Sequence, residues 1–325
     1  CSCSPLRGAG CLIKNGRRAE MKLEQMPRYP LLCGFTPLQR MENLEQALGC
    51  GPLYIKRDDL TPLGLGGNKT RKLEFLLGDA LAGGADTLVT VGGVQTNHGN
   101  LLLDCLLGAS LVYTDRRSAS AVIEETLAAL QAAGRAPYFI PEGGSNAVGS
   151  AGYLAMVPEL LAQADSLPVP PARLVCTMGS LGTFAGLWLG ARAFGAPFSV
   201  TGVAVNPTTG YTREKAAALV NEMSAAYGLD IAAAPEDMDI IYADAAHDYA
   251  GPGYNVPDAK TRLSVELLAR TEGIFLDPCY TAKSFRGFCD IARELDGGAI
   301  FVHTGGTPAL WTQEHLDAFA ADYWN

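Results

Sequence analysis

Three glycines and an asparagine lead directly into two lysines in the stretch GLGGNKTRKLEF, Gly64 to Phe75. Lys69 falls at the expected start of a helix, where the positive end of the backbone dipole disfavours a charged amine. That placement lowers a lysine's pKa and leaves more neutral amine for imine chemistry with a carbonyl. A solvated surface lysine is the commoner fate, and Lys72, one turn on, is a helix-surface residue unless it meets an anion. A nucleotide phosphate loop of the form G-x-x-x-x-G-K-[ST] is excluded, because Asn68 separates Gly67 from Lys69.

A second chemical element lies in CTMGSLGTFAG. Gly179, Ser180, Leu181, Gly182 and Thr183 follow an expected strand and open an expected helix, so backbone N–H groups and two hydroxyls converge at a helix N-terminus. Such a turn suits a phosphate. It equally suits a tight strand-to-helix turn with a Ser or Thr cap, and its G-x-x-G spacing is not the dinucleotide fingerprint. The third element, VGGVQTNHGN, places Gln95, Thr96, Asn97 and His98 at a strand end, where they can bind a carboxylate or a phenolic oxygen or simply form a turn. Tyr280 in LDPCYTAKSF and Thr304 in FVHTGGTPALW stand at two further strand ends. Taken together, one lysine, one phosphate-sized cradle and several polar turns point to a cofactor with both an aldehyde and a phosphate, pyridoxal phosphate.

The elements that must position these residues alternate. Strands are expected at 53–57, 86–93, 110–114, 136–141, 173–177, 198–205, 239–242, 274–276 and 299–303. Between them the pattern predicts helices at 69–84, at the NLLLDCLLG stretch, and at 118–133, 147–164, 183–194, 212–227, 257–272 and 281–294. This is an α/β pattern with a mostly parallel sheet, whose ligands bind at the carboxyl ends of the strands. The 325 residues carry a net charge of −9, with 48% hydrophobic and 18% charged residues. That balance argues against a polyanion-binding role and against a disordered chain. Nine scattered cysteines without a C-x-x-C pair or zinc spacing suggest a reducing, cytoplasmic setting and no metal site. Residues 1–20 show no periodicity, so the fold is expected to begin near Met21, with the preceding segment an extension outside it.

In order along the chain, IKRDDLTPLGLGGNKTRKLEFLLGDALAGGADTL, VQTNH, IPEGGSNAVGSAGY, GSLGT, GIFLDPCYTAKSF and FVHTGGTPAL closely resemble the D-cysteine desulfhydrase and 1-aminocyclopropane-1-carboxylate deaminase family. The resemblance runs from about Arg28 to Trp311. It implies a tryptophan-synthase-β-like fold (fold type II of the pyridoxal-phosphate enzymes), with two open, mostly parallel sheets flanked by helices. It further implies a large cofactor-binding domain (21–67 and 149–325), a small mobile domain (68–148) and a homodimer. By the same resemblance, Lys69 would bind the cofactor covalently and later move a proton, and Asn97 would hold the phenolic oxygen. The loop Gly179, Ser180, Leu181, Gly182 and Thr183 would hold the phosphate with Lys72, Thr304 would face the ring nitrogen, and Tyr280 would face the ring. Gln95, Thr96, Asn97, His98 and Tyr280 would line the substrate.

The implied activity is β-elimination from a small amino acid, D-cysteine giving pyruvate, sulfide and ammonia. A cysteate sulfo-lyase, the cyclopropane deaminase and a non-catalytic binding protein of the same fold are the alternatives. Several residues depart from the family pattern. Thr281 stands where the deaminase branch has glutamate, which disfavours cyclopropane opening. Thr96 replaces a usual serine, Leu181 a small residue and Ala282 a glycine. Between His98 and Gly99 the family has a further helix and strand, a unit of roughly 30 residues or fewer. The small domain is therefore expected to have a missing segment there.

Overall fold

A computed structural model describes residues 17–20, 22–93, 101–206 and 210–323, without the side chains of 101–103. Eight strands are present among them: β1 (Leu38–Arg40), β2 (Leu53–Lys56), β3 (Thr87–Thr90), β4 (Pro137–Ile140), β5 (Pro171–Met178), β6 (Ser199–Ala204), β7 (Ile240–Ile241) and β8 (Gly298–Val302). Six form one sheet in the order β1-β2-β8-β5-β6-β7, and β3 and β4 form a second. Every pairing is parallel except β1 with β2. The register aligns Lys56 of β2 with Val302 of β8, and Val302 with Cys176 of β5. The loops that leave these strands therefore emerge along one edge, where the sequence pattern places its glycine turns.

Side-chain alternation along the central strands builds two cores, one on each face of the six-stranded sheet. Leu174, Cys176, Ile300 and Val302 join a cluster with Leu154, Phe184 and Val220. Val175, Ala299 and Phe301 turn the other way and join Leu268, Phe285 and Phe288. On the first face, three helices meet almost backbone to backbone: Lys69–Ala82, Ala147–Leu154 and Leu181–Phe194. A Cβ on Gly152 would lie 2.2 Å from the Arg71 carbonyl oxygen, and one on Gly186 would lie 2.4 Å from that of Ser150. Only glycine permits this close spacing of the three helices.

Most expected elements are present, and the exceptions have identifiable causes. The helix expected over 147–164 is two helices, Ala147–Leu154 and Met156–Ala164, because Pro158 has no N–H to continue the first one. No strand forms at 110–114: Val112 and Tyr113 are exposed, and β3 pairs with β4 instead. None forms at 274–276 either. There the Phe275 carbonyl is bonded to the ring of His303 at 2.9 Å, and Asp277-Pro278 follow at once. Strand β1 and the helices Glu42–Leu48 and Gln313–Tyr323 lie beyond the elements that the pattern predicts. Residues 17–20 are helical and Ala19 is fully buried in the first core, while Arg18 donates to the Gly228 carbonyl at 3.2 Å. The fold thus reaches back past Met21, at least to these residues, which the expected 1–20 extension had left outside. They escape a periodicity reading because so short a stretch shows no clear 3.6-residue repeat.

A buried ionic cluster fixes the start of the Lys69–Ala82 helix. The Arg71 guanidinium donates to Asp58 at 2.8 and 2.9 Å, to Glu159 at 2.9 and 3.0 Å and to the Thr36 hydroxyl at 2.9 Å. Lys56 completes the set by pairing with Glu159, and the Tyr153 hydroxyl donates to Asp58 at 2.8 Å. Two cations face two carboxylates, all buried. Removing one carboxylate strands the guanidinium in the core, so Asp58→Ala and Glu159→Ala should each lower the unfolding free energy by about 3–5 kcal/mol in urea titrations. Arg293→Ala, which breaks an exposed pair with Asp290, should leave the midpoint nearly unmoved.

Candidate active site

Lys69 opens its helix after Gly66 and Gly67, whose φ angles are +84° and +118°. A Cβ on Gly66 would lie 1.7 Å from the Asp59 carbonyl oxygen, so this turn is closed to any other residue. The turn is pinned on both sides. The Gly67 N–H donates to the Asp58 carbonyl at 2.9 Å, and the Asn68 N–H donates to the Thr304 carbonyl at 3.0 Å. Asn68 then joins three parts of the site. Its amide donates to the Thr183 hydroxyl at 3.2 Å, and its side-chain oxygen accepts from Lys69 Nζ at 2.8 Å. Burial pulls the Lys69 amine down to about 8, only partly offset by the charge of Glu142. At neutral pH a useful fraction of it is therefore a free nucleophile.

Lys72 is fully buried. Its Nζ donates to the Gly143 carbonyl at 2.9 Å and to the Ser145 hydroxyl at 3.2 Å. No carboxylate lies within ion-pair distance of it among the described residues. Burial, with the nearby Lys69 charge, pushes its pKa well below that of an ordinary lysine. Directly opposite is the turn that begins the Leu181–Phe194 helix. The Gly182 N–H donates to Ser145 Oγ at 3.2 Å, and Ser145 Oγ lies 2.8 Å from Ser180 Oγ. A Cβ on Gly182 would meet Ser145 Oγ, Lys72 Nζ and Ser150 Oγ within 2.8–2.9 Å. Ser150 Oγ is buried and has no hydrogen-bond partner among the described residues. A buried amine with no carboxylate partner among the described residues, an unsatisfied hydroxyl, two further hydroxyls and a helix N-terminus converge on one point. That donor set fits a phosphate dianion.

Tyr280 precedes the Thr281–Glu294 helix and lies against the same turn: a Cβ on Gly179 would sit 3.2 Å from its ring. Its backbone is held by the buried Asp277 carboxylate, which accepts N–H bonds from Cys279, Tyr280 and Thr281 at 2.7–2.9 Å. The Tyr280 hydroxyl bonds to that of Tyr254, with the two rings edge to face at 5.6 Å. Burial pushes the Tyr280 phenol far up, so it is a neutral O–H donor or acceptor at all working pH values. The Thr281 hydroxyl turns inward, donating to Asp277 at 2.6 Å.

One connected set of contacts thus joins Lys69, Lys72, Gly179, Ser180, Gly182, Thr183, Tyr280 and the backbone of Thr304. Leu181 sits beside them as the first, buried residue of its helix. Gln95, Thr96, Asn97 and His98 lie outside the described residues. Asn68, Ser145, Ser150 and Tyr254 belong to the site as well, although their residue types alone do not mark them. The GGSN turn after β4 is the one available sign for Ser145, since it too follows a strand. Pyridoxal phosphate fits this donor set, with Lys69 for its aldehyde and the Lys72–Gly182 cradle for its phosphate. Lys69→Ala should abolish the visible absorption band of the lysine-bound cofactor. In the wild-type chain the rate of cofactor capture should rise with pH and level off above about 8, because only the neutral amine attacks. Lys72→Met should keep the band but weaken cofactor retention on dialysis by about 10–100-fold.

Comparisons with known proteins agree with this site. A family model described as pyridoxal-phosphate dependent enzyme matches residues 30–103 and 93–305. A D-cysteine desulfhydrase of Yersinia enterocolitica is 36% identical over 89% of this chain and 97% of its own length. A protein of Pyrococcus abyssi, provisionally named 1-aminocyclopropane-1-carboxylate deaminase, is 35% identical over 90% of this chain and 96% of its own length. The solved structure of a homologue of that deaminase superposes with a TM-score of 0.83 at 32% identity, covering 94% of this chain and 98% of its own. The two matched segments of the family model overlap at 93–103, where this sequence joins His98 directly to Gly99. With its cradle for a phosphate and its lysine for an aldehyde, this chain belongs to the family of pyridoxal-phosphate-dependent enzymes, as a lyase of the fold that the D-cysteine desulfhydrases and 1-aminocyclopropane-1-carboxylate deaminases share.

Proposed function

We propose that the chain catalyses β-elimination from a small amino acid, with D-cysteine as the favoured substrate and pyruvate, ammonia and sulfide as products. The observation that carries this reading is that Lys69, through Asn68 and Thr183, and Tyr280, beside Gly179, both flank the 179–183 turn, while the Thr281 hydroxyl is bonded to Asp277. The bound cofactor supplies an electron sink for the substrate's α-carbon. The protein supplies position and proton transfer. The Lys72 ammonium and the Ser145, Ser150 and Ser180 hydroxyls hold the phosphate end. Lys69, whose amine titrates near 8, would hold the aldehyde end of the cofactor and would be the base for the substrate's α-proton. The Tyr280 phenol, hydrogen-bonded to that of Tyr254, would be the group that protonates a leaving thiolate. Thr304, two residues past β8, would face the ring nitrogen, as the resemblance implies. A neutral hydroxyl there suits elimination, which needs only modest carbanion stabilisation.

Thr281 also favours this substrate class over the cyclopropane. The deaminase branch resembles this chain with glutamate at that position, whereas here a short side chain is spent on Asp277. The substrate carboxylate falls to Gln95, Thr96 and His98, and the phenolic oxygen to Asn97, as the resemblance implies. A division into a large domain (21–67 and 149–325) and a small one (68–148), a homodimer and a cytoplasmic setting belong to the same reading. The cofactor-loaded protein should release pyruvate and sulfide in equal amounts from D-cysteine and release no ammonia from 1-aminocyclopropane-1-carboxylate. Tyr280→Phe should lower kcat by about 100-fold or more while leaving the visible band in place. Turnover of L-cysteate with none of D-cysteine would move the assignment to the sulfo-lyase. A stable visible band with no turnover of any β-substituted amino acid would leave a binding protein.

A further inference from the structure

Tyr254 reaches Tyr280 from an irregular loop between β7 and the Ala259–Glu272 helix. Nothing in the loop's own secondary structure holds it there. Gly251 and Asn255 both have positive φ, +65° and +54°. Among the loop's ties to the Thr281–Glu294 helix, beside Tyr249–Asp290 and Asp258–Arg286, is Lys283, three residues beyond Tyr280 in the first turn of that helix. Lys283 is fully buried. Its Nζ donates to the Ala250 carbonyl at 2.7 Å and to the Gly253 carbonyl at 2.7 Å. No carboxylate lies within ion-pair distance of this ammonium among the described residues. A second anchor sits on the far side, where the ring of the buried His315 meets the Asn255 side chain at 3.1 Å.

Burying an ammonium among carbonyls is costly, and an apolar side chain of similar length would fill the space without that cost. Packing alone therefore does not explain a lysine here, whereas backbone positioning does. The two bonds join the loop that carries Tyr254 to the helix that starts beside Tyr280. Because Tyr280 and Lys283 are three residues apart at a helix start, they share one face, so a loop tied to one is set against the other. We infer that Lys283 is a positioning residue: through the Ala250 and Gly253 carbonyls it holds Tyr254 at hydrogen-bond distance from the phenol of Tyr280. Its effect on turnover rests on the lyase reading above; the tie between loop and helix is independent of it.

Amide hydrogen exchange and steady-state kinetics of the cofactor-loaded protein test the inference together, on wild type, Lys283→Met, Tyr254→Phe and the double variant. In Lys283→Met the visible band should persist, and exchange over residues 250–256 should quicken by about tenfold or more, with the Lys69–Ala82 helix unaffected. Its kcat on D-cysteine should fall about 10–100-fold with KM within about twofold, and the double variant should be no slower than Tyr254→Phe alone. Should Lys283→Met not fold, Lys283→Gln, which keeps N–H donors for a carbonyl, carries the same readouts with a smaller change. Unchanged exchange over 250–256, or losses in kcat that multiply in the double variant, would overturn the inference. Quickened exchange in a chain whose wild type turns over no substrate would uphold the tie and refute the lyase reading instead.

Discussion

The site depends on where one arginine is held. Arg71 lies between Lys69 and Lys72 on the first turn of their helix, and it points the opposite way, into a buried cluster with Asp58, Glu159, Lys56 and Thr36. Five hydrogen bonds from one planar group leave that turn neither rotation nor slide. Lys69 and Lys72 are thereby fixed without support from each other or from a ligand. The glycine contacts work with this anchor. Gly152 lets the next helix touch the Arg71 carbonyl, and Gly186 lets the third touch Ser150. The start of the Leu181–Phe194 helix is thereby set against Ser145 and Lys72.

Charge balance separates the cations of the Arg71 cluster from Lys72. In the Arg71 cluster two positive side chains meet two negative ones, so the buried charge is neutralised within the protein. Among the described residues Lys72 bonds to a carbonyl and a hydroxyl, with the Lys69 amine near enough to lower its pKa further. A buried cation left in that state is costly unless an anion arrives. The unsatisfied Ser150 hydroxyl and the Leu181–Phe194 helix N-terminus face the same point, so the missing partner is an anion with several acceptor oxygens. Lys283 is the instructive contrast. It too lacks a carboxylate, but its bonds go to two loop carbonyls and it faces no helix N-terminus, which makes it a tie and not an anion site.

Much of this was legible in the sequence because it depends on local chemistry. The glycine turns, the lysine after Asn68 and the alternation of strands and helices are short-range patterns, and they place Lys69 and Gly179 to Thr183 at helix starts and Thr304 just past β8; Tyr280, expected at a strand end, instead precedes a helix, because the 274–276 strand does not form. What could not be read are partners distant in the chain. Ser145 reaches Ser180 across 35 residues and Tyr254 reaches Tyr280 across 26. Arg71 binds Glu159 across 88. Nothing in residue type distinguishes Arg71, which is anchored in the core, from Lys72, which awaits a ligand; helical spacing even puts both on the surface by default. The two expected strands that did not form, 110–114 and 274–276, have suitable residues but no neighbouring strand, and pairing is a property of the whole sheet.

The central claim is that the cradle formed by Lys72, Ser145, Ser150 and Gly182 exists to hold a phosphate. Its most direct test is to titrate the cofactor-free protein with pyridoxal phosphate and, separately, with pyridoxal, which has the same ring and aldehyde without the phosphate. The account predicts that the phosphate ester binds tighter by about 100-fold or more, corresponding to about 3 kcal/mol from charge-assisted bonds to the cradle. Equal affinity for the two compounds would contradict it, because Lys69 alone would then account for capture and the buried charge of Lys72 would need another explanation.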